Sequence, residues 1–303
     1  MKVGFFIGCN TAFNRPDLEL AVKYSFPPLG VELDDLIGQS CCPTWGTMPS
    51  IDLAGWCALG ARNFAIAEEQ GIDMVTVCST CFGSLARTRF YMLTNSDIRK
   101  KVNRILKEIG RAYKGTSRVR HATYFLYNEV GLEKIKQSLK YRLDGLTVAV
   151  QPGCLTLWPS QLQEDKEEDP FHPKVLKEMC EALGASVQDY SRLLDCCGMG
   201  AMRSTDMERS FYLMERKITS IKTEANPDLI VTGCSSCLIQ FDTAQEFLQK
   251  RMRIYYEIPV VHYMQLLAVC LGADPEVVTS MSRIKADNVL LEALKVNTVA
   301  DNS

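Results

Sequence analysis

Five cysteines occur twice along this chain in the same order, and that repeat constrains the fold more than any single motif. The first set is Cys9, the neighbours Cys41 and Cys42, and Cys78-x-x-Cys81; the second is Cys154, the neighbours Cys196 and Cys197, and Cys234-x-x-Cys237. Matching positions lie 145, 155 and 156 residues apart. The long intervals are 31 and 35 residues in the first set and 41 and 36 in the second. Self-similarity of this length marks two copies of one structural unit.

The background is the same in both copies. A short apolar strand over 3–7 runs into Gly8-Cys9, a helix over 17–24 stops at Pro27-Pro28, and a strand over 31–36 leads to Cys41-Cys42. A helical stretch over 50–69 is closed by Gly71, and a buried-type strand over 74–77 ends at Cys78, where another helix begins. The second copy repeats this with a strand over 146–150, a helix over 174–183 closed by Gly184, and a strand over 186–190. A helix over 204–223 with Ser204 as cap and a strand over 229–232 complete it, and the tail adds a strand over 258–261 and helices over 264–271 and 288–294. Alternating strands and helices predict an α/β fold: two modules related by a pseudo-twofold axis, with mainly parallel sheets and flanking helices, divided as 1–145 and 146–303. Every cysteine of the repeat then falls at or just beyond the C-terminal end of a strand, the edge where open α/β folds gather ligands.

Between the copies, helical signals over 97–113 and 129–139 sit in a basic run. Thirteen Lys and Arg between Arg99 and Arg142 face only Glu108, Glu129 and Glu133, which predicts a solvated face or a docking face for an acidic partner. The whole chain carries only -2, so nothing global draws it to nucleic acid or an anionic membrane. No apolar run is long enough to span a membrane, and the start of the chain lacks a signal peptide's apolar region, so the expected location is the cytoplasm. Thirteen cysteines there point to metal or redox chemistry rather than to disulfides. With only His121, His172 and His262 available, thiolate is the ligand on offer.

Adjacent cysteines direct that chemistry further. Neighbouring side chains leave an extended backbone on opposite sides, so a Cys-Cys pair suits a site holding several metal atoms better than one small ion. A structural zinc site closes with four ligands and leaves a fifth thiolate without a place. A dithiol exchange site at the helix starts after Cys78 and Cys234 leaves the other six cysteines without a role. Iron-sulfur chemistry uses all five in each copy, with zinc in one module as the alternative that stays open. Cys57, Cys180 and Cys270 have no counterpart in the repeat and sit in apolar helical context, so they are expected to be buried packing residues. Gly198-Met199-Gly200 has Arg203 where a dinucleotide fingerprint needs its third Gly, and is set aside.

The order Cys, Cys-Cys, Cys-x-x-Cys resembles the cysteine-rich CCG domain. Two copies in one chain, opening Val3-Gly4-Phe5-Phe6-Ile7-Gly8-Cys9, are similar to the B subunits of methanogen-type heterodisulfide reductase. The resemblance implies two noncubane 4Fe-4S clusters, one held by Cys9, Cys41, Cys42, Cys78 and Cys81 and the other by Cys154, Cys196, Cys197, Cys234 and Cys237. It further implies reduction of the mixed disulfide of coenzyme M and coenzyme B to two thiols in methanogenesis. The implied partners within heterodisulfide reductase are the A subunit, which carries flavin, and the C subunit, which carries cubane 4Fe-4S clusters, linked to hydrogenase or formate dehydrogenase. The alternative is an electron-relay protein of an organic-acid oxidoreductase acting on glycolate, lactate or fumarate. Two departures stand out: Pro43 replaces the glycine of the motif's name in the first copy, and the 41-residue interval carries an acidic insertion over 161–169. Because the implied substrate is anionic, Arg87 and Arg203, each six residues beyond a cysteine of the repeat, are candidate substrate contacts, and His262 is a candidate proton donor.

Overall fold

Two four-stranded sheets, each wholly parallel, carry the repeat. The computed structural model describes residues 1–46, 48–162 and 168–296, so most of the acidic insertion lies outside the described residues. The first sheet has strands β1 (Lys2–Phe5), β2 (Glu32–Asp35), β3 (Met74–Thr76) and β4 (Val119–His121) in the order β2-β1-β3-β4. The second has β5 (Thr147–Gln151), β6 (Ser186–Val187), β7 (Leu229–Thr232) and β8 (Val260–His262) in the order β6-β5-β7-β8. The orders match strand for strand. In the first sheet Phe5 stands opposite Asp35 on one side and Val75 on the other; in the second, Val150 stands opposite Val231. β3 and β7 are buried along their whole length, as central strands covered on both faces must be. β2, Glu-Leu-Asp-Asp, is a charged edge strand of the kind that resists pairing with another chain.

The helices that place the site are α1 (Gly8–Asn14), α2 (Pro16–Ser25), α3 (Leu53–Gln70), α4 (Ser79–Thr94), α5 (Ser96–Lys107) and α6 (Ala122–Phe125) in the first module. In the second they are α7 (Val175–Ala182), α8 (Met207–Ser220), α9 (Ser235–Met252) and α10 (Tyr263–Cys270). α3 is capped by the Asp52 side chain, which accepts from the Gly55 N–H, and ends at Gly71 in the left-handed region.

The expected helices of the basic run are corrected in part. α5 stops at Lys107, and Val119–His121 forms β4, a strand not expected from the sequence. A three-residue strand inside a run of arginines has too few apolar positions to show a period of two. The second expected helix covers only Leu132–Ser138. Within 204–223 the helix is broken: Ala201–Thr205 ends, and Asp206 rather than Ser204 caps α8 by accepting from the Arg209 N–H. Several cations of the run meet local acids, Lys100 with Asp97, Arg111 with Glu69, Arg118 with Asp73 and Arg120 with Glu129 among them.

The two modules exchange helices. α10, which follows the fourth strand of the second sheet, packs on α2, which follows the first strand of the first sheet. α6 packs on α7 in the reciprocal arrangement. One contiguous apolar core therefore runs through both modules. A buried ion pair crosses the same boundary: Arg15 binds Asp17 at 2.8 Å, approaches Asp242 at 3.9 Å and donates to Ser282. Removing one member of such a pair strands a buried charge and costs on the order of 3–5 kcal/mol. Among the described residues no helix is long and apolar enough to cross a membrane.

A candidate thiol-lined metal centre between the modules

The exchange brings the C-terminal edges of the two sheets face to face, and with them all ten cysteines of the repeat. Cys9 lies in the first turn of α1, and Cys78 and Cys234 stand at the N-caps of α4 and α9. The sulfurs follow one another in a line of electrostatic neighbours: Cys9 to Cys41, Cys41 to Cys42, Cys42 to Cys81, Cys81 to Cys78. There the line crosses to the other module, Cys78 to Cys234, and continues through Cys237, Cys197 and Cys196 to Cys154. The Cys237 and Cys197 sulfurs are 3.2 Å apart. Read from either end the order is the same, and Cys78–Cys234 lies at the middle, where a pseudo-twofold axis would pass.

That midpoint is laced by further contacts between modules. The Ser79 N–H donates to the Cys234 sulfur at 3.2 Å, the Cys78 sulfur lies 3.3 Å from Ser236 Oγ, and the Ser235 N–H donates to the Val77 carbonyl at 3.0 Å. Gly153, with φ of +96°, lets the chain pass where a Cβ would fall 2.2 Å from Ser79 Oγ and 3.1 Å from the Cys234 Cβ. Six of the ten thiols are buried, while Cys9, Cys41 and Cys196 at the outer parts of the line are exposed. Contacts along the line split the thiols electrostatically. Hydrogen bonds from Cys41 and Cys81 pull Cys42 down to about 5, and the bond with Cys42 pushes Cys81 well up.

The donor set is all thiol, five from each module, and meets in successive pairs. Among the described residues no group of three or more His, Cys, Asp or Glu forms a grip on a single ion. Buried thiols contributed by adjacent residues and by both loops of a module fit a centre with several metal atoms, where each sulfur takes a different one, and iron-sulfur chemistry is the chemistry they suit.

A cleft of about 330 Å³ opens beside the line, lined by Cys9, Cys42, Cys78 and Cys81 on one side and by Met199 and Arg203 on the other. Arg203 thus faces the first module's cysteines from the second; its guanidinium lies 4.8 Å over Phe211 and donates to Gln240 and Thr243. Arg87 makes the reverse crossing from α4. It is 9% exposed, lies 4.8 Å over Trp45, donates to the Gly83 carbonyl and feels the charge of Cys154.

His262 departs from the expectation of a proton donor to substrate. It is fully buried, its Nδ1 accepts from the Met264 N–H, and its Nε2 therefore donates to the Val77 carbonyl at 3.0 Å. Both ring nitrogens are used in holding the backbone that leads into Cys78. Its positional counterpart, missed in the sequence, is His121 at the end of β4, whose Nδ1 shares a hydrogen bond with Thr123 Oγ1 at 2.7 Å and whose Nε2 is buried without a partner. The available signal was that Val119-Arg120-His121 and Val260-Val261-His262 both end a fourth strand, 141 residues apart. Burial lowers both rings, His262 to about 4 and His121 to about 3, so both are neutral. Asn63 and Lys217, which brace the loops before the Cys-Cys pairs, also left no trace in the cysteine spacing. Cys57, Cys180 and Cys270 are buried in α3, α7 and α10, away from the line, as expected of packing thiols; desolvation pushes Cys57 up to about 12.

Comparison with known proteins agrees with the duplication. Residues 3–86 and 148–242 each match the family model of the cysteine-rich domain, CCG. A protein of Archaeoglobus profundus that is like the B subunit of heterodisulfide reductase is 57% identical over 295 residues, 97% of this chain and 99% of that one. The B subunit of the ferredoxin/F(420)H(2)-dependent CoB-CoM heterodisulfide reductase of Methanosarcina acetivorans is 39% identical across 91% of each chain. The membrane anchor subunit of the 8-methylmenaquinol:fumarate reductase of Wolinella succinogenes is 30% identical, over 89% of this chain and 92% of that one.

Proposed function

The chain belongs to the cysteine-rich CCG domain family, with two copies in one polypeptide, and on that premise we propose that it is the catalytic subunit of a heterodisulfide reductase. The substrate is the mixed disulfide of coenzyme M and coenzyme B, reduced to two thiols. One observation carries this reading: two five-thiol sets meet at Cys78 and Cys234, and a cleft lined by Cys9, Cys42, Cys78 and Cys81 of the first set opens beside that junction. Cleaving a disulfide takes two electrons, which one relay site delivers only in succession but two facing sites supply together.

Each set of five is assigned one noncubane 4Fe-4S cluster, the first to Cys9, Cys41, Cys42, Cys78 and Cys81 and the second to Cys154, Cys196, Cys197, Cys234 and Cys237. When bound, the clusters supply one-electron transfer at two adjacent places. The chain's own residues do the rest. Arg203, which lines the cleft, offers its guanidinium to an anionic end of the substrate, and Arg87, buried over Trp45, is the assigned counterpart from the first module. His262 holds the backbone that leads into Cys78. Electrons arrive from a partner, for which a protein with cubane clusters and a flavoprotein, linked to hydrogenase or formate dehydrogenase, are the assigned sources; the expected location is the cytoplasm.

The test is iron and sulfide analysis of anaerobically purified chain together with heterodisulfide-dependent oxidation of reduced viologen dye. About eight irons per chain and activity are expected, from two clusters of four irons. Four irons with one zinc would refute the symmetric assignment. The similarity to a fumarate reductase subunit favours a second reading, an electron relay for an organic-acid oxidoreductase. Full iron with no disulfide-dependent dye oxidation would select it.

A further inference from the structure

The two thiol sets match in geometry but not in charge. Lys217 lies in α8 with its side chain completely buried. Its Nζ donates to the backbone carbonyls of Arg192 at 2.8 Å, Leu193 at 2.9 Å and Asp195 at 2.6 Å, in the turn that leads into Cys196. The Asp195 carboxylate accepts from Arg192 Nη1 at 2.7 Å, so Lys217 hydrogen-bonds only the carbonyl of that residue and feels its carboxylate at longer range, already paired with Arg192; the Tyr190 ring lies 5.7 Å away. Neutral dipoles satisfy its hydrogen bonds without cancelling its charge, and burial keeps water from screening it. The sulfurs of Cys197, Cys237 and Cys196 lie within its field.

The first module makes the corresponding brace from a neutral amide. Asn63, on α3 after the first Cys-Cys pair, accepts from the Ser40 N–H at 2.9 Å and donates to the Cys41 carbonyl at 3.3 Å. Lys217 stands 154 residues further on, close to the offset of the repeat, and does the same work for the second loop. One brace is an amide and the other a cation. Arg203, which faces the first set, lines an open cleft and is only partly buried, so solvent screens it far more.

Resting on the two-cluster reading, we propose that Lys217 makes the two matched sites electrostatically unequal, so that the cluster held by the second module is the more easily reduced. Reduction adds one electron, and hence one negative charge, to a cluster. A fixed buried cation beside the second set stabilises that charge, and the neutral amide beside the first does not. Electrons entering the pair therefore rest first on the side of Cys196 and Cys197.

The experiment is a redox titration of the iron-loaded chain with dithionite and mediators, following each cluster's signal by electron paramagnetic resonance. Lys217→Met keeps the side chain's length and removes its charge; Lys217→Arg keeps the charge. The more positive midpoint is expected to move to more negative potential in Lys217→Met while the other stays in place, and to return toward the wild-type value in Lys217→Arg. Loss of roughly half the iron in Lys217→Met would count against the proposal, since the side chain would then be needed to hold the cluster rather than to set its potential. Unmoved midpoints in an iron-replete Lys217→Met, or equal loss of iron in both variants, would overturn the proposal by reducing Lys217 to a structural brace. A wild-type chain that binds no iron is a different failure, since it refutes the two-cluster reading on which the proposal rests.

Discussion

Replacing Gly198 by Ala tests whether the second cysteine loop is held as tightly as its contacts imply. Gly198 follows Cys197 with φ of +81°, donates its N–H to the Cys196 sulfur at 3.3 Å and accepts from Ser210 Oγ at 2.7 Å. A Cβ there would lie 2.5 Å from the Ser210 backbone oxygen and 3.1 Å from its Cα. These are backbone atoms of α8, so no side-chain rotation relieves the collision and the loop or the helix must shift. The left-handed conformation costs an L-residue roughly 1–2 kcal/mol. Overpacking adds about 1–3 kcal/mol, for a total of about 2–5 kcal/mol. At about 2–4 °C per kcal/mol for a chain of this order of size, the unfolding midpoint falls by roughly 4–20 °C. The matched control is Pro43→Ala in the first loop, where the carbonyl that accepts from Trp56 Nε1 at 2.8 Å is retained and the cost is under about 1 kcal/mol. Thermal unfolding followed by circular dichroism under anaerobic conditions, with iron counted in the same samples, reads both variants. A Gly198→Ala protein with full iron and a midpoint within about 2 °C of wild type would show that α8 yields at Ser210 and that the loop is not clamped.

The buried histidines set an acid limit. Both have folded values below the ordinary 6.5, so the unfolded chain takes up protons first as pH falls; stability is complete above about 6.5 and declines toward about 4, by roughly 3 kcal/mol for His262. Urea midpoints between pH 7 and 4.5 should therefore fall, less steeply in His262→Gln, and an unchanged slope in that variant would place the acid sensitivity elsewhere. Arg15→Met should lower stability by about 3–5 kcal/mol, because Asp17 and Asp242 keep their buried charges without a partner; a denaturant midpoint close to wild type would contradict the role given to this pair at the module boundary. Cys197→Ala should lose about half of the iron, while Cys57→Ala, buried in α3 away from the thiol line, should keep all of it. Equal iron in the two variants would remove the distinction between repeat and packing thiols.

The duplication, the α/β class and the ten cysteines are legible along the chain, because each rests on local pattern. β3 and β7 are legible as short, wholly apolar runs, and Gly71 and Gly184 mark helix ends by the conformation that only glycine adopts freely. β4 was not legible, since its pairing with β3 through Met74 and Val119 is a long-range contact that three residues among arginines do not advertise. Tertiary structure alone decided that α10 packs on α2 and α6 on α7, and so that the sheet edges face each other and the thiols join at Cys78 and Cys234. It also decided what braces each loop. Spacing along a chain records which residues repeat; it does not record that Lys217 and Asn63 each reach the backbone of a cysteine loop, or that His262 spends both nitrogens on backbone, because those facts arise only when distant segments are brought within hydrogen-bond distance.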